Sequence, residues 1–497
     1  MSTNTSAGAE RLNVGKTLLM GTGFMATMIA WTMYNNFVPK ILERVLNASP
    51  MIEKWNESLS GKLPDWLAGL AAGDADVAGA AAVSLVPLLI GIIMTFDNVF
   101  GVIFQPAFGK LSDRCHSRLG KRRPFILIGA PISAVLFFLI PQMEDVLGDG
   151  AALLPLMLVI ILFVFVMSLW RSPCVALMPD LTPSSLRSQA NSYISLMGGI
   201  GAALAVGLPM AVSKISGLEE TGYTPWVFAI AAVFMVVCSL LLLLTKEQDS
   251  RLKGISDNLQ AEELRRKLKE EAAEEKRALK AIKLNKDEKR SLIFMLIALF
   301  LLFCGTNVVE TFFSLFAQHI LNLDAAQASS RMMAFVAASA IAAIPAGMCG
   351  KKIGRKRTII IGMATIIATF GGYMLVQKFA EGSSFAENST WVALFLGGAS
   401  TMFVNVNTLP LVLEIGGLKK IGTFTGYYYT ATFLGQVVTP ILFGALESAL
   451  QTNYLSLFVY SPICIVLSLA MVLFVKHGEA NQEELEKAVE KIEQENG

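Results

Sequence analysis

Three ionisable residues stand inside stretches otherwise too apolar to hold a charge: Asp97, Arg171 and Glu310. A charged side chain at the centre of a bilayer costs roughly 3 kcal/mol or more, so such groups are kept where they act. An acid whose solvation and neighbours change can take up and release a proton, which makes Asp97 and Glu310 candidates for proton coupling. Arg171 offers a planar fork of donors able to hold a carboxylate and ligand oxygens together. Gly101 and Gln105 fall on the Asp97 face at i+4 and i+8, and Asn307, Ser314 and Gln318 share a helical stripe with Glu310. Asn405 stands nine residues before Glu414, as Arg171 stands nine before Asp180. Trp31, Tyr34, Asn35, Asn36 and Asn407 add aromatic faces and hydrogen-bonding groups. The plainer alternatives are an ion pair of either acid with Arg171 and, for the Asn and Tyr residues, hydrogen bonds between helices. Metal chemistry is not indicated, because the three His form no H-E-x-x-H pattern and the six Cys show no ligand or disulfide spacing. A net charge of +2 suggests no nucleic-acid partner.

The elements that must position these residues are membrane helices. The 497-residue chain is 54% hydrophobic and only 16% charged, with a mean hydropathy of +0.56, against roughly 25% charged residues in soluble domains. Apolar runs lie near 17–39, 84–108, 124–142, 152–178, 188–213, 225–244, 291–321, 329–349, 357–377, 391–413, 421–446 and 454–475. Most reach the roughly 20 residues a helix needs to cross the hydrocarbon core, and a backbone in lipid must satisfy its own hydrogen bonds. Twelve transmembrane helices are expected, and no strands.

Loop charge supports that count. The stretch Gly109-Lys-Leu-Ser-Asp113-Arg114-Cys-His116-Ser-Arg118-Leu-Gly120-Lys121-Arg122-Arg123 carries seven basic or potentially basic residues, and 350–357, 178–188, 414–420 and 245–290 are also basic or richly charged. The alternate loops hold Glu144, Asp145 and Asp149, Glu219 and Glu220, or Glu381 and Glu387. Short basic loops stay inside, so both termini are expected in the cytoplasm.

The chain also repeats. Gly109-x-x-x-Asp113 followed by Gly120-Lys-Arg-Arg matches Gly347-x-x-x-Lys351 followed by Gly354-Arg-Lys-Arg. Asp180 with Arg187, and Glu414 with Lys420, give a second register. The expected architecture is an all-α membrane protein of two pseudo-symmetric six-helix bundles, 1–244 and 291–477, with a cavity between them at mid-membrane. A cytoplasmic charged linker spans 245–290, helical around Ala261-Glu-Glu-Leu-Arg-Arg-Lys-Leu-Lys-Glu, and a tail spans 478–497.

At these residues the chain resembles the major facilitator superfamily. Ser112-Asp113-Arg114-Cys115-His116-Ser117-Arg118-Leu119-Gly120-Lys121-Arg122-Arg123-Pro124-Phe125-Ile126 is similar to the S-D-R-C-x-S-R-x-G-R-R-R-P-F-I of the sucrose-type and glycoside:cation symporters. Ser172-Pro173-Cys174-Val175-Ala176-Leu177-Met178-Pro179-Asp180-Leu181-Thr182 is similar to their G-P-x-R-A-L-x-x-D-L-T, with Val175 in place of the Arg and Arg171 one helical turn earlier.

The resemblance implies the major facilitator fold and a transporter, not an enzyme, that symports a disaccharide or glycoside by alternating access. The coupling ion is expected to be a proton, with sodium the alternative, and no cofactor or metal is expected. A sugar site needs amides and acids that bind hydroxyls in pairs and an aromatic over the ring face. The expected substrate residues are Trp31, Tyr34, Asn35, Asn36, Gln105, Arg171, Asn307, Asn405 and Asn407. The expected cytoplasmic gate is Gly109, Asp113, Arg114, Gly120, Arg122, Arg123, Asp180, Arg187 and Glu414. A monomer in the plasma membrane with a small-molecule sugar and the lipid bilayer as its partners completes the expectation. A proton antiporter exporting drugs or metabolites, and a receptor or scaffold without transport, are the competing readings.

Overall fold

The computed structural model describes residues 12–60, 84–147, 151–182, 187–245, 286–380, 383–416 and 421–476. Most of the expected linker and all of the expected tail lie outside these residues. Among the described residues there are fourteen α-helices and no strand. They are α1 (Val14–Asn47), α2 (Pro50–Ser60), α3 (Val86–Met94), α4 (Phe96–Asp113), α5 (Arg123–Leu147), α6 (Leu153–Leu181) and α7 (Arg187–Ser216). The chain continues through α8 (Glu220–Leu242), α9 (Lys286–His319), α10 (Ala325–Ile353), α11 (Arg355–Phe379), α12 (Ser384–Gly416), α13 (Ile421–Leu450) and α14 (Leu457–Leu473).

Among the described residues, ten spans are long and apolar enough to cross a membrane, α3 and α4 together forming one of them. With α1 and the shorter apolar α14 they make the twelve expected crossings. The second apolar run is not one continuous helix. It breaks at Thr95, whose hydroxyl donates to Gly91 O at 2.9 Å and lies 3.1 Å from Val437 O on α13. The first helix outlasts its apolar run and continues to Asn47, because its last turns carry charges that find partners on other helices.

By packing, the chain separates into two compact units, Met1–Ser49 with Val99–Glu262, and Pro50–Asn98 with Glu263–Gly497. In the first, α1 packs on α7 and α8, and α5 packs on α6 and α8. Its centre is an aromatic column in which Phe137 stacks on Phe228 at 4.5 Å and meets Phe163 at 5.3 Å. Trp170 is fully buried beside it, with Nε1 donating to Ser133 Oγ at 3.0 Å.

In the second unit, α9 packs on α13 and α14, α12 on α10 and α11, and α3 on α13. The α3–α13 crossing explains why the first half of the second span belongs here. A Cβ at Gly91 would lie 2.0 Å from Pro440 O, and one at Gly444 would lie 2.4 Å from Pro87 O. Only two glycines let these backbones meet, the small-residue route to helix association in lipid.

Candidate functional site

In the first unit the structure gathers Trp31, Tyr34 and Arg171 around one aromatic site. The Arg171 guanidinium carbon lies 5.6 Å from the Trp31 ring centroid. Trp31 meets Tyr34 edge-on at 5.7 Å and Phe163 at 6.2 Å, and Tyr34 stacks on Phe163 at 5.9 Å. Residues 31 and 34 are one helical turn apart on α1, which puts both rings on one face. Trp31 Nε1 is buried without a hydrogen-bond partner, a donor that a bound polar ligand can satisfy. A cation over an indole face is worth about 0.5–2 kcal/mol.

The neighbouring amides divide. Asn35 is half-buried, whereas Asn36 is buried and lies roughly 140° around the helix from Trp31. On α4, Gln105 is half-buried, and its amide covers Gly101, where a Cβ would come within 3.1 Å of Nε2.

Asp97 occupies the first turn of α4, just past the break at Thr95. Its Oδ1 accepts from the Asn98 backbone N–H at 2.7 Å and from Asn98 Nδ2 at 2.9 Å. The sequence places this acid within a continuous span. The structure places it at a helix start, beside backbone N–H groups that have no intrahelical partner. From there α4 runs as one helix to Asp113.

In the second unit, α9 carries the other acid. Glu310 is exposed, while Val308, Val309 and Thr311 beside it are buried. Asn307 Oδ1, Ser314 Oγ and Gln318 Oε1 on the same helix are buried without hydrogen-bond partners. On α12, Asn405 is half-buried. Asn407 is placed differently. It is 3% exposed, its Nδ2 donates to Ala346 O at 3.1 Å and to Phe403 O at 2.9 Å, and its amide fills the space left at Gly350. Two residues from Asn405 is roughly 200° around a helix, so Asn407 ties α12 to α10 instead of joining Asn405.

Three of the expected gate residues, Gly109, Asp113 and Asp180, converge on Arg122, which is buried with only 7% of its side chain exposed. Its Nε donates to Asp180 Oδ2 at 2.9 Å, its Nη1 to Gly109 O at 3.2 Å and to Ser112 Oγ, and its Nη2 to Asp113 Oδ1. One planar guanidinium thus joins the end of α4, the start of α5 and the end of α6, which a point-charge ammonium cannot do. Gly109 lies against Ser172, where a Cβ would come 3.0 Å from Oγ. Gly120 has φ +103° and turns the chain toward Arg122. Arg123 donates to Leu243 O, past the end of α8. Arg114 is exposed, and its carbonyl lies 2.8 Å from His116 Nδ1. Arg187 opens α7, and its side chain lies outside the described residues.

The second unit repeats this arrangement with one residue removed. Gly354 has φ +94°, the next residue Arg355 pairs with Glu414, and Lys356 Nζ donates to Val475 O at 2.6 Å and Leu473 O at 3.3 Å. Arg355 is therefore the counterpart of Arg122, and Lys356 that of Arg123. Lys351, the apparent replacement for Asp113, is exposed.

Sequence reasoning missed Arg355, and it missed a charge network at the other end of the first unit. Lys40, buried on α1, pairs with Glu220 at 3.2 Å. Arg44 holds Glu144 with bonds of 2.5 and 2.9 Å and lies 3.6 Å from Glu220. The available signal was Lys40 and Arg44 at i and i+4 on the end of a helix, facing loops rich in Glu.

Apolar spans with charged groups inside them, and an Arg–carboxylate pair recurring in each unit, define a polytopic helical membrane protein with an internal repeat. The Major Facilitator Superfamily profile matches residues 20–440 and again 295–494, and the chain belongs to that superfamily, whose members are transporters and not enzymes. It is 29% identical over 154 residues to a sucrose transport protein of Arabidopsis thaliana, covering 28% of this chain and 27% of that one. It is 27% identical over 170 residues to a general alpha-glucoside permease of Schizosaccharomyces pombe, covering 31% and 28%. The aligned parts thus span little more than a quarter of the length of either relative. Among solved structures, a D-xylose–proton symporter superimposes with a TM-score of 0.60 at 15% identity, covering 93% of this chain and 98% of that one. That likeness concerns the fold.

Proposed function

We propose that the protein is a proton-coupled symporter of a sucrose- or maltose-type disaccharide or glycoside, working by alternating access in the plasma membrane with both termini in the cytoplasm. The observation that carries this reading is Arg171 over the Trp31 ring, with the indole N–H buried and unpaired. An aromatic ring beside a cation and an unpaired indole donor is a combination that suits a pyranose. The sucrose and alpha-glucoside carriers among the similar proteins favour the same substrate class. Coupling falls to Asp97 and Glu310, since a proton can drive transport only through a group whose protonation differs between the two facing states.

Asp97 is the favoured carrier, because the same helix that starts at it ends at Asp113, which pairs with Arg122. Glu310 then serves as an acceptor for sugar hydroxyls beside Asn307. Uptake of a labelled disaccharide panel into proteoliposomes, with and without an imposed pH gradient, tests the proposal. Accumulation that requires the gradient supports it, and accumulation driven only by sodium, or export of the panel, overturns it.

A further inference from the structure

We infer that α2 is an interfacial anchor that lays Met51 and Trp55 into the lipid surface. The helix follows α1 after two residues, and its 11 residues are too few to cross a bilayer. Its depth is fixed by a hydrogen bond. Asn56 Oδ1 accepts from the Leu85 backbone N–H at 2.9 Å, and Leu85 immediately precedes α3, where a membrane span begins. Asn56 and its neighbour Trp55 therefore sit at the level where the apolar span starts.

Three faces divide the helix. Ile52 is 2% exposed, and with Asn56 it forms the side held by the protein. Met51 and Trp55, four residues apart and so stacked on one face, are 41% and 47% exposed. Glu53 and Glu57, each two residues further on and roughly 200° around, are exposed on the far side, with Lys54 next to them. A helix pinned at the hydrocarbon boundary with an apolar edge, a charged edge and a protein edge fits one environment: acyl chains under one side and water over the other. Tryptophan prefers this depth because its ring is apolar and its N–H is not. A soluble protein partner fits less well, since it would have to reach Met51 and Trp55 through the lipid headgroups.

The test uses the full-length protein in lipid nanodiscs and takes the fluorescence difference between it and Trp55→Phe, which isolates Trp55 from the other five tryptophans. Phenylalanine keeps the apolar edge, and thermal unfolding of the variant checks that the fold survives. The expected result is a blue-shifted Trp55 component that loses most of its intensity when the nanodisc lipid is brominated near the top of the acyl chain, and little when iodide is added to the water. Quenching by iodide without quenching by brominated lipid overturns the inference, because Trp55 then faces solvent. Protection from both quenchers overturns it too, because the residue then lies against protein.

Discussion

Arg122 has more named partners than any other gate residue, and its effect follows from the geometry of one guanidinium. Its bonds to Asp113 and Asp180 are charge-assisted, but both acids reach solvent, which screens each pair toward the roughly 1 kcal/mol of surface ion pairs. Asp113 has 59% of its side chain exposed against 7% for Arg122, so water replaces the acid more readily than the base. Arg122→Ala and Arg122→Lys are therefore expected to slow transport by roughly tenfold or more, the rate equivalent of about 1.4 kcal/mol. Asp113→Asn is expected to slow it less, with surface expression kept in every case. Initial uptake rates normalised to membrane protein check this order, and an Asp113→Asn variant slower than Arg122→Ala would reverse the assignment of the hub.

At the Trp31 site, Trp31→Phe keeps a ring under Arg171 but removes the buried N–H. It is expected to raise KM with kcat nearly unchanged, since a ground-state binding contact is lost. Arg171→Lys is expected to abolish accumulation, because the ammonium lacks the fork. Saturation kinetics on both variants separates these two outcomes.

Among the elements, the joins decide more than the helices. Gly354 alone separates α10 from α11, with φ +94° and ψ +144°, a conformation that side chains with a Cβ rarely adopt. Gly354→Ala is expected to destabilise the protein by about 1–3 kcal/mol and to loosen Arg355 from Glu414. Gly371 lies inside α11 with open space where a Cβ would go, so Gly371→Ala is expected to be neutral or stabilising, by up to about 1 kcal/mol. Thermal unfolding of the two variants in detergent measures the contrast, and equal melting temperatures would remove strain at Gly354 from the account.

The joins are also where the sequence was least legible. The apolar runs revealed the twelve crossings because a lipid-embedded helix leaves its length in the composition. The break at Thr95 left no such trace: its hydroxyl reaches Val437 O on α13, a helix that Gly91 and Gly444 let approach closely, and both are tertiary facts. The extension of α1 was hidden for the same reason: Lys40 and Arg44 are stable in their turns through Glu220 and Glu144, more than ninety residues away in sequence. The repeat was read in the register of Lys351, and the one-residue shift that makes Arg355 the counterpart of Arg122 emerged only from its pairing with Glu414. Asn407 has the same chemistry as a ligand residue, and only its bonds to Ala346 and Phe403 distinguish it from Asn405.

For the whole molecule, the account joins three things: a site in the first unit that suits a sugar ring, an acid at the head of α4, and a clamp at its foot. A single helix from Asp97 to Asp113 offers a change at the acid a covalent route to the Arg122 network, and a coupling must run through an element with two arrangements. The most direct measurement compares sugar counterflow with pH-driven uptake in proteoliposomes containing Asp97→Asn or Glu310→Gln. The account predicts that Asp97→Asn retains counterflow and loses accumulation under a proton gradient, while Glu310→Gln loses both. Retained pH-driven accumulation in Asp97→Asn would contradict it.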